Sequence, residues 1–249
     1  MSKKSKSQHL ITIMRILSLI SFVLAIVFVV LLFLSKNDNI QLWYKTYQDI
    51  LVDAETKVTN MDDKASVLIV LLFLFAFKAV FPIYLFPLSA LCAVTSTVFP
   101  AYLSIPINIL GLVILYSIKY LWGKRVGANG VQAILSRSET VQDFIEKDGK
   151  GNPLLIPLFR LIPATPTNLV SQLYGAMGFR FRDFILLSLL GYSPRLISYT
   201  FIGQNVFNPL SAAFLLPFIL LFTLASFSLF ASSKVVETQI VKRRKLNNG

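Results

Sequence analysis

Three basic residues stand alone beside long uncharged stretches of the sequence: Lys78, Arg160 and Arg195. Arg160 immediately precedes the uncharged range 161–179, and Arg195 immediately precedes the uncharged range 196–233. A guanidinium forms paired hydrogen bonds with a phosphate or a carboxylate, and an ammonium attracts either group as a point charge. The chemistry that these three residues predict is the binding of an anion. The alternative is a structural role, in which they reach the membrane interface or pair with backbone carbonyls of broken helices.

A cluster of uncharged polar residues follows Arg160 in the sequence, between Pro163 and Gly175. Hydroxyl and amide groups can replace the water around a polar ligand, and they can also bond to backbone groups that a broken helix leaves without partners. We expect the cluster to lie beside Arg160, with its first three members as ligand contacts. The cluster consists of Thr165, Thr167, Asn168, Ser171 and Gln172.

Catalytic chemistry has few of its usual components here. The chain has one histidine, His9, and one cysteine, Cys92, so that no intrachain disulfide and no histidine-based triad or metal site can form. The uncharged stretches contain no pair of carboxylates for acid–base work. The sequence therefore predicts a protein without a cofactor and without enzymatic activity.

The composition indicates which kind of fold must position the cations. Of the 249 residues, 55% are hydrophobic and only 14% are charged, and the mean hydropathy is +0.68. A soluble domain carries about 25% charged residues. Stretches without any charge cover just over half of the chain, and about 20 apolar residues suffice for a transmembrane helix. The expected fold is an all-α polytopic membrane protein.

The excess of positive charge points to lipid rather than to nucleic acid. The formal net charge is +12, but the basic residues lie in the two tails and beside apolar spans, where topology signals and contacts with anionic lipids belong. Both basic tails are expected on the cytoplasmic side, most simply of a plasma (bacterial inner) membrane. The expected partners are anionic lipid headgroups and not nucleic acid. The oligomeric state stays open, a homo-oligomer included.

Apolar and polar segments divide the chain into four regions. The second could be a helix at the membrane interface or a plain solvated loop, because its aromatic residues are spaced among charges. Within the third, 128–148 is expected to be a cytoplasmic amphipathic helix that joins two repeats. The regions are 1–35 (basic tail and membrane anchor), 36–64 (polar, extracytoplasmic), 65–207 (membrane domain, with repeats 65–123 and 153–204) and 208–249 (last span and basic tail).

The membrane domain contains two segments that prolines interrupt. Because proline removes a helical donor and clashes with the preceding turn, 65–98 and 153–178 are expected to be broken, re-entrant elements, punctuated by Pro82 and Pro163. Complete spans are expected at 10–35, 100–121, 182–203 and 208–232. Four crossings and two re-entrant elements place both termini on one side, as would six thin spans.

The two interrupted segments begin an internal repeat. Residues of the first copy match those of the second at a nearly constant offset of 80 to 82 positions. If one copy enters from each side, the repeats are inverted, which is typical of transporters whose broken helices meet at the membrane midplane. Half-helix ends would then surround a polar, partly hydrated seam, because unsatisfied backbone groups are costly in hydrocarbon. The matches are Lys78 with Arg160, Pro82 with Pro163, Gly111 with Gly191 and Gly123 with Gly203.

Four glycines of the second copy are expected to allow close packing or sharp turns rather than to touch a ligand. They are Gly175, Gly178, Gly191 and Gly203.

The second copy also resembles a known family. The series 159–163 (FRLIP), 174–178 (YGAMG), 181–184 (FRDF), 190–194 (LGYSP) and 202–204 (IGQ) is similar to the DedA superfamily, in its VTT domain or SNARE-associated Golgi protein branch. This resemblance implies two opposed re-entrant loops and lipid translocation, either phospholipid scrambling or transport of polyprenyl-phosphate carriers. Transport-type members have a second arginine where this chain has Pro166, and acidic residues in the first loop where it has none.

Residues and resemblance together predict a translocator that moves an anionic phospholipid or a polyprenyl phosphate between leaflets. A membrane-organising protein that moves no lipid is the alternative, and a proton-coupled secondary transporter is another.

Overall fold

In the part that the structure describes, the chain folds into helices. The computed structural model describes residues 3–81, 87–135, 153–161 and 167–247. The helices in those ranges are α1 (Lys3–Leu34), α2 (Asp38–Thr59), α3 (Lys64–Val80), α4 (Leu88–Val98), α5 (Ala101–Leu135), α6 (Leu155–Leu161), α7 (Thr167–Ala176), α8 (Phe181–Gln204) and α9 (Ala212–Asn247).

Four of these helices contain segments long and apolar enough to cross a membrane. The segments are Ile11–Leu34, Ala101–Gly127, Phe181–Gln204 and Ala212–Ala231. At 1.5 Å per residue they are about 30 to 40 Å long, which matches the hydrocarbon core of a bilayer. The prediction of an all-α polytopic membrane protein is confirmed.

The first and last spans pack along each other, outside the two repeats. Phe28 of α1 stacks on Phe218 of α9 with ring centroids 4.8 Å apart. Nearer the chain ends, Arg15 and Glu237 form an ion pair of 2.7 Å. These contacts pair an early residue of α1 with a late residue of α9, so the two helices are antiparallel.

The polar segment after α1 forms a helix, which decides against a plain loop. Asn37 caps α2 by accepting a hydrogen bond from the backbone N–H of Asn39 at 3.0 Å. Tyr44 is buried, and its hydroxyl lies 3.3 Å from the carbonyl of Phe207 in the α8–α9 connection. Trp43 is 63% exposed on the neighbouring face. The amphipathic helix α2 therefore lies across the end of the bundle where α8 ends.

Helices α3 and α4 form the first broken element. The side chain of Asp63 accepts a hydrogen bond from the backbone N–H of Ser66 at 3.0 Å, which caps the start of α3. Leu71 of α3 packs in one cluster with Val98 and Phe99 at the end of α4. The element therefore enters and leaves at the same end of the bundle, as a re-entrant hairpin does. Its break, with Pro82, lies outside the described residues.

Helices α6 and α7 form the second broken element, and a glycine ends it. Gly178 has a positive φ of 67°. The N–H of Phe179 bonds to the carbonyl of Tyr174, and the N–H of Gly178 bonds to that of Gly175, which is the Schellman arrangement that ends many helices. The break between α6 and α7, with Pro163 and Thr165, lies outside the described residues.

The spans α5 and α8 run antiparallel, so the two repeats are inverted. At one end, Gln204 in the last turn of α8 donates to the carbonyl of Phe99, just before α5, at 2.8 Å. At the other end, the hydroxyl of Tyr120 in α5 donates to the carbonyl of Phe179, just before α8. Each span thus ends where the other begins.

Glycines show how the repeats interlock. Gly111 of α5 faces Phe75 of α3, and Gly191 of α8 faces the backbone of Pro157 in α6. Each span therefore packs on the first helix of the broken element in its own repeat. The later glycine of each span packs on the second helix of the broken element in the other repeat. Gly123 of α5 faces the backbone of Gln172 in α7, and Gly203 of α8 faces that of Ala93 in α4.

Two regions extend beyond their predicted bounds. Helix α5 continues to Leu135 past a non-helical residue, Gly127 (φ 66°, ψ −163°), so the start of the expected helix 128–148 follows the span after a sharp change of direction. Residues 136–148 lie outside the described residues. Helix α9 continues from its apolar part through the basic tail to Asn247.

Candidate functional site

Arg160 is completely buried at the end of α6, at 0% exposure. Its Nη2 donates to the hydroxyl of Ser171 in α7 at 2.6 Å. Its guanidinium carbon lies 3.9 Å from the ring centroid of Tyr116 in α5 and 5.8 Å from that of Phe184 in α8. Three helices therefore enclose the charge, and an aromatic face stabilises it through a cation–π interaction.

Close packing of α6 on α8 places Arg160 in this enclosure between the helices. A Cβ at Gly191 would collide with the backbone of Pro157, so the missing side chain lets α6 lie directly on the span. Arg160 follows Pro157 by one turn and therefore faces the next turns of α8. Glycine is required at position 191 by this approach of two backbones.

The side chain of Arg195 on α8 contacts the backbone of Arg160 at the end of α6. Its Nη1 lies 3.4 Å from the carbonyl oxygen of Arg160, and its Nη2 lies 3.2 Å from the hydroxyl of Tyr199. The carbonyls in the last turn of a helix lack intrahelical partners, so Arg195 satisfies one that the break after α6 leaves open. Its guanidinium carbon also lies 5.1 Å from the ring centroid of Tyr192.

The cluster lies halfway along the two spans. Tyr116 is about 22 Å from the Ala101 end and about 17 Å from the Gly127 end of its span, at 1.5 Å per residue. Tyr192 is about 17 Å from either end of α8. The two arginines are therefore at the depth where a bilayer is driest.

Several polar atoms of the cluster are buried without a hydrogen-bond partner among the described residues. They are the hydroxyl oxygens of Tyr116 and Tyr192, and Nε of Arg195. An unsatisfied buried donor or acceptor costs about 1–3 kcal/mol. Together they leave several positions at which a further polar group could bond.

Helix α4 of the first repeat also contributes a residue near the arginine cluster. Cys92 is buried, and it lies within electrostatic range of Arg195, Tyr116 and Tyr192. Asn108 of α5 donates to the carbonyl of Cys92 at 3.1 Å and fixes α4 at this level. Elements of both repeats thus converge on the arginines.

Most side chains of this centre are buried. Arg160, Ser171, Tyr116 and Tyr192 expose at most 1% of their surface, whereas Arg195 and Tyr199 are partly exposed. The expected seam is therefore a largely buried polar centre in this conformation, and a ligand would reach Arg160 only after a movement of the surrounding helices.

The structure brings some predicted site residues together and separates others. Arg160, Arg195 and Ser171 meet in the cluster. Asn168 is half-buried in the first turn of α7; Thr167 begins that helix, and its side chain is outside the described residues. Lys78 lies in the last turn of α3, within electrostatic range of Lys119 of α5.

Sequence reasoning missed the aromatic members of the cluster. Tyr192, Arg195 and Tyr199 are spaced by three and four residues along α8, and Tyr116 and Lys119 are spaced by three along α5. Residues at these spacings lie on one face of a helix. The signal was present, but the sequence does not say which face of a largely apolar span looks inward.

The predicted structural glycines have distinct roles. Gly191 and Gly203 receive backbone of other helices, and Gly175 receives the backbone of Tyr120. Gly178 instead provides the positive φ that ends α7, with open space around it. All four lie at close approaches or at a turn, and none of the described contacts of the arginines involves them.

One comparison with known proteins identifies the central part of the chain. The family model of the VTT domain matches residues 86–205, which include α4 to α8 and both arginines of the cluster, and which begin after Lys78. No curated protein and no solved structure gave a match. The resemblance seen in the sequence is confirmed. The matched region, just under half of the chain, is similar to the domain of the DedA/SNARE-associated Golgi protein family.

Proposed function

We propose that this VTT-domain protein moves an anionic lipid, a phospholipid or a polyprenyl phosphate, between the leaflets of its membrane without changing it chemically. The observation that carries the proposal is the contact at mid-span between two arginines, Arg160, which is buried, and Arg195, which is partly buried. A phosphate carries the charge and the acceptor oxygens that such a pair binds best.

Energetics favour a functional role for the pair. A basic residue at the bilayer centre costs about 2.5–3.5 kcal/mol on insertion scales, so such residues generally mark a pathway or a binding site. Arg195 forms no ion pair with any carboxylate of the described residues, and its Nε has no hydrogen-bond partner among them. A lipid phosphate at this point would supply the missing negative charge and acceptors.

The inverted repeat suggests how a phosphate could reach the buried Arg160. Helices α6 and α7 are short, interrupted elements packed against long spans, and α3 and α4 are their counterparts in the other repeat. In transporters with inverted repeats, one repeat rocks against the other and opens the central site to one side at a time. The acyl chains of the lipid would stay in the membrane while the headgroup passes between the repeats.

Leaflet exchange in liposomes tests the proposal. Purified protein is reconstituted with a trace of fluorescent phosphatidylglycerol or phosphatidylcholine, and exchange is read from quenching by dithionite, which reaches only the outer leaflet. We expect exchange above the protein-free rate, and faster exchange for the anionic lipid. Equal, protein-free rates for both lipids contradict the proposal.

Arg195→Gln is the matched variant for this assay. It removes the positive charge but keeps a polar amide group at this position. We expect anionic exchange to fall by roughly tenfold, as for the loss of one charge-assisted hydrogen bond. Arg182→Gln, an exposed arginine of the same helix, is the control and should exchange lipid like the wild type.

The same fold also suits a secondary transporter for a small anion, because its site would be central and its repeats inverted. Uptake of a labelled anion driven by a pH gradient, without leaflet exchange, would favour that function. For the lipid translocator we propose a plasma membrane location with both termini in the cytoplasm.

A further inference from the structure

A second buried cation lies outside the arginine cluster. Lys119 of α5 is only 3% exposed, and its Nζ lies 5.3 Å from the ring centroid of Trp122, one turn further along the helix. Trp122 is itself largely exposed at the edge of the span. The lysine thus lies between the protein interior and a residue type that favours the lipid headgroup region.

Lys78 brings another positive charge to the same place. Helix α3 packs on α5 through Phe75, which faces Gly111, and Lys78 follows Phe75 by one turn. Lys78 lies within electrostatic range of Lys119. Lys119 is buried and Lys78 is partly buried, so the two like charges repel each other, and an anion beside Lys119 relieves the repulsion. The ion pairs among the described residues do not include Lys119.

The lysines lie on the way from the arginine cluster to one membrane surface. Tyr116, which stacks on Arg160, precedes Lys119 by one turn of α5, and Trp122 follows Lys119 by one turn. The level of Arg160 and that of Lys119 are therefore about 5 Å apart along the helix axis. A phosphate could move from one to the next without losing a positive partner.

The matching position of the other repeat carries no lysine. The offset of 80 positions that relates Gly111 to Gly191 pairs Lys119 with Tyr199. Tyr199 is uncharged, and its hydroxyl already bonds to Arg195. The cationic route is thus on the side where α5 ends.

We propose that Lys119, together with Lys78, forms a second phosphate-binding station between the arginine cluster and the carboxyl end of α5, and that it takes the phosphate of an anionic lipid. This deepens the proposed function and rests on it. Trp122 would lie beside the upper acyl chains of the bound lipid, because its ring flanks the ammonium group.

Trp122 can report on this station directly. The chain has two tryptophans, so Trp43→Phe leaves Trp122 as the only one. The full-length variant is reconstituted in vesicles of phosphatidylcholine that contain either phosphatidylglycerol or phosphatidylcholine with brominated acyl chains. Bromine quenches tryptophan only at short range. We expect stronger quenching by the brominated anionic lipid than by the brominated zwitterionic lipid.

Two further variants assign the effect to Lys119. In Lys119→Gln the excess quenching by the anionic lipid should be lost, whereas Lys119→Arg, which keeps the charge, should retain it. Lys124→Gln is the matched control at an exposed lysine of the same helix and should also retain it. Equal quenching in Lys119→Gln and the parent overturns the station. Loss of the excess in all three variants overturns it too, since the effect would then not be specific to the positive charge at position 119.

Inorganic phosphate separates a lipid site from a site for a soluble anion. If free phosphate shifts the emission of Trp122 while brominated phosphatidylglycerol gives no excess quenching, the lipid assignment is wrong. Failure of the station is also distinct from failure of transport. Excess quenching that depends on Lys119, without leaflet exchange, keeps the station and contradicts translocation. Leaflet exchange without excess quenching that depends on Lys119 keeps translocation and contradicts the station.

Discussion

Arg160→Gln is expected to abolish most transport of anionic lipid while leaving the protein folded. The variant loses the positive charge that Tyr116 and Ser171 hold at mid-span. Charge-assisted hydrogen bonds contribute about 1.5–3 kcal/mol, which corresponds to a roughly 10- to 150-fold slower exchange. Folding should survive, because removing a buried charge also removes its desolvation cost. Leaflet exchange of fluorescent phosphatidylglycerol measures the loss.

Arg160→Lys separates charge from geometry at this position. Lysine keeps the positive charge but lacks the planar group that stacks on Tyr116 and bonds to Ser171 at the same time. Its exchange rate should therefore fall between those of the wild type and Arg160→Gln. Arg125→Gln, at an exposed position of α5, serves as the control and should be unaffected. Wild-type exchange by Arg160→Gln would show that the buried charge has no part in transport.

Gly123→Ala is expected to destabilise the protein by separating the two repeats. A Cβ at this position would collide with the backbone carbonyl of Gln172, which belongs to the other repeat. Backbone cannot move aside as a flexible side chain can, so α5 and α7 must shift apart. Overpacking of this kind costs about 1–3 kcal/mol. The measurement is the midpoint of thermal unfolding in detergent, which should fall by several degrees.

Val126→Ile provides the control for the added carbon atom. Val126 lies in the same helix but is exposed, so one more methylene meets no other backbone. Its midpoint should match that of the wild type. If Gly123→Ala unfolds at the same temperature as Val126→Ile, the interlocked packing of α5 on α7 is not what stabilises the domain.

Much of the fold could be predicted because its determinants are local in the sequence. Long uncharged stretches set the four spans, and α3 and α6 end shortly after Lys78 and Arg160, as the prolines that follow in the sequence predicted. The constant offset between glycines predicted a repeat. The offset corresponds to equivalent packing in the structure, since Gly111 and Gly191 each contact the first helix of the broken element in their own repeat.

Other features depend on tertiary contacts that no local pattern encodes. Lys78 and Arg160 match in the repeat, yet one lies near Lys119 and the other meets Arg195, because the partner positions on α5 and α8 carry different residues. Helix α2 was one of two alternatives, since its polar residues suit a surface helix and a loop equally. The burial of Tyr116 beside Arg160 depends on which face of α5 looks inward.

The central claim is that a polar centre at mid-span opens during transport. Cys92, the only cysteine, lies buried beside Arg195 and reports on that opening without any mutation. The decisive measurement is the labelling rate of Cys92 in proteoliposomes by a water-soluble thiol reagent that does not cross membranes. The account predicts slow but complete labelling, at a rate that changes when anionic lipid replaces zwitterionic lipid. No labelling by that reagent, with ready labelling by a lipid-soluble one, would contradict it.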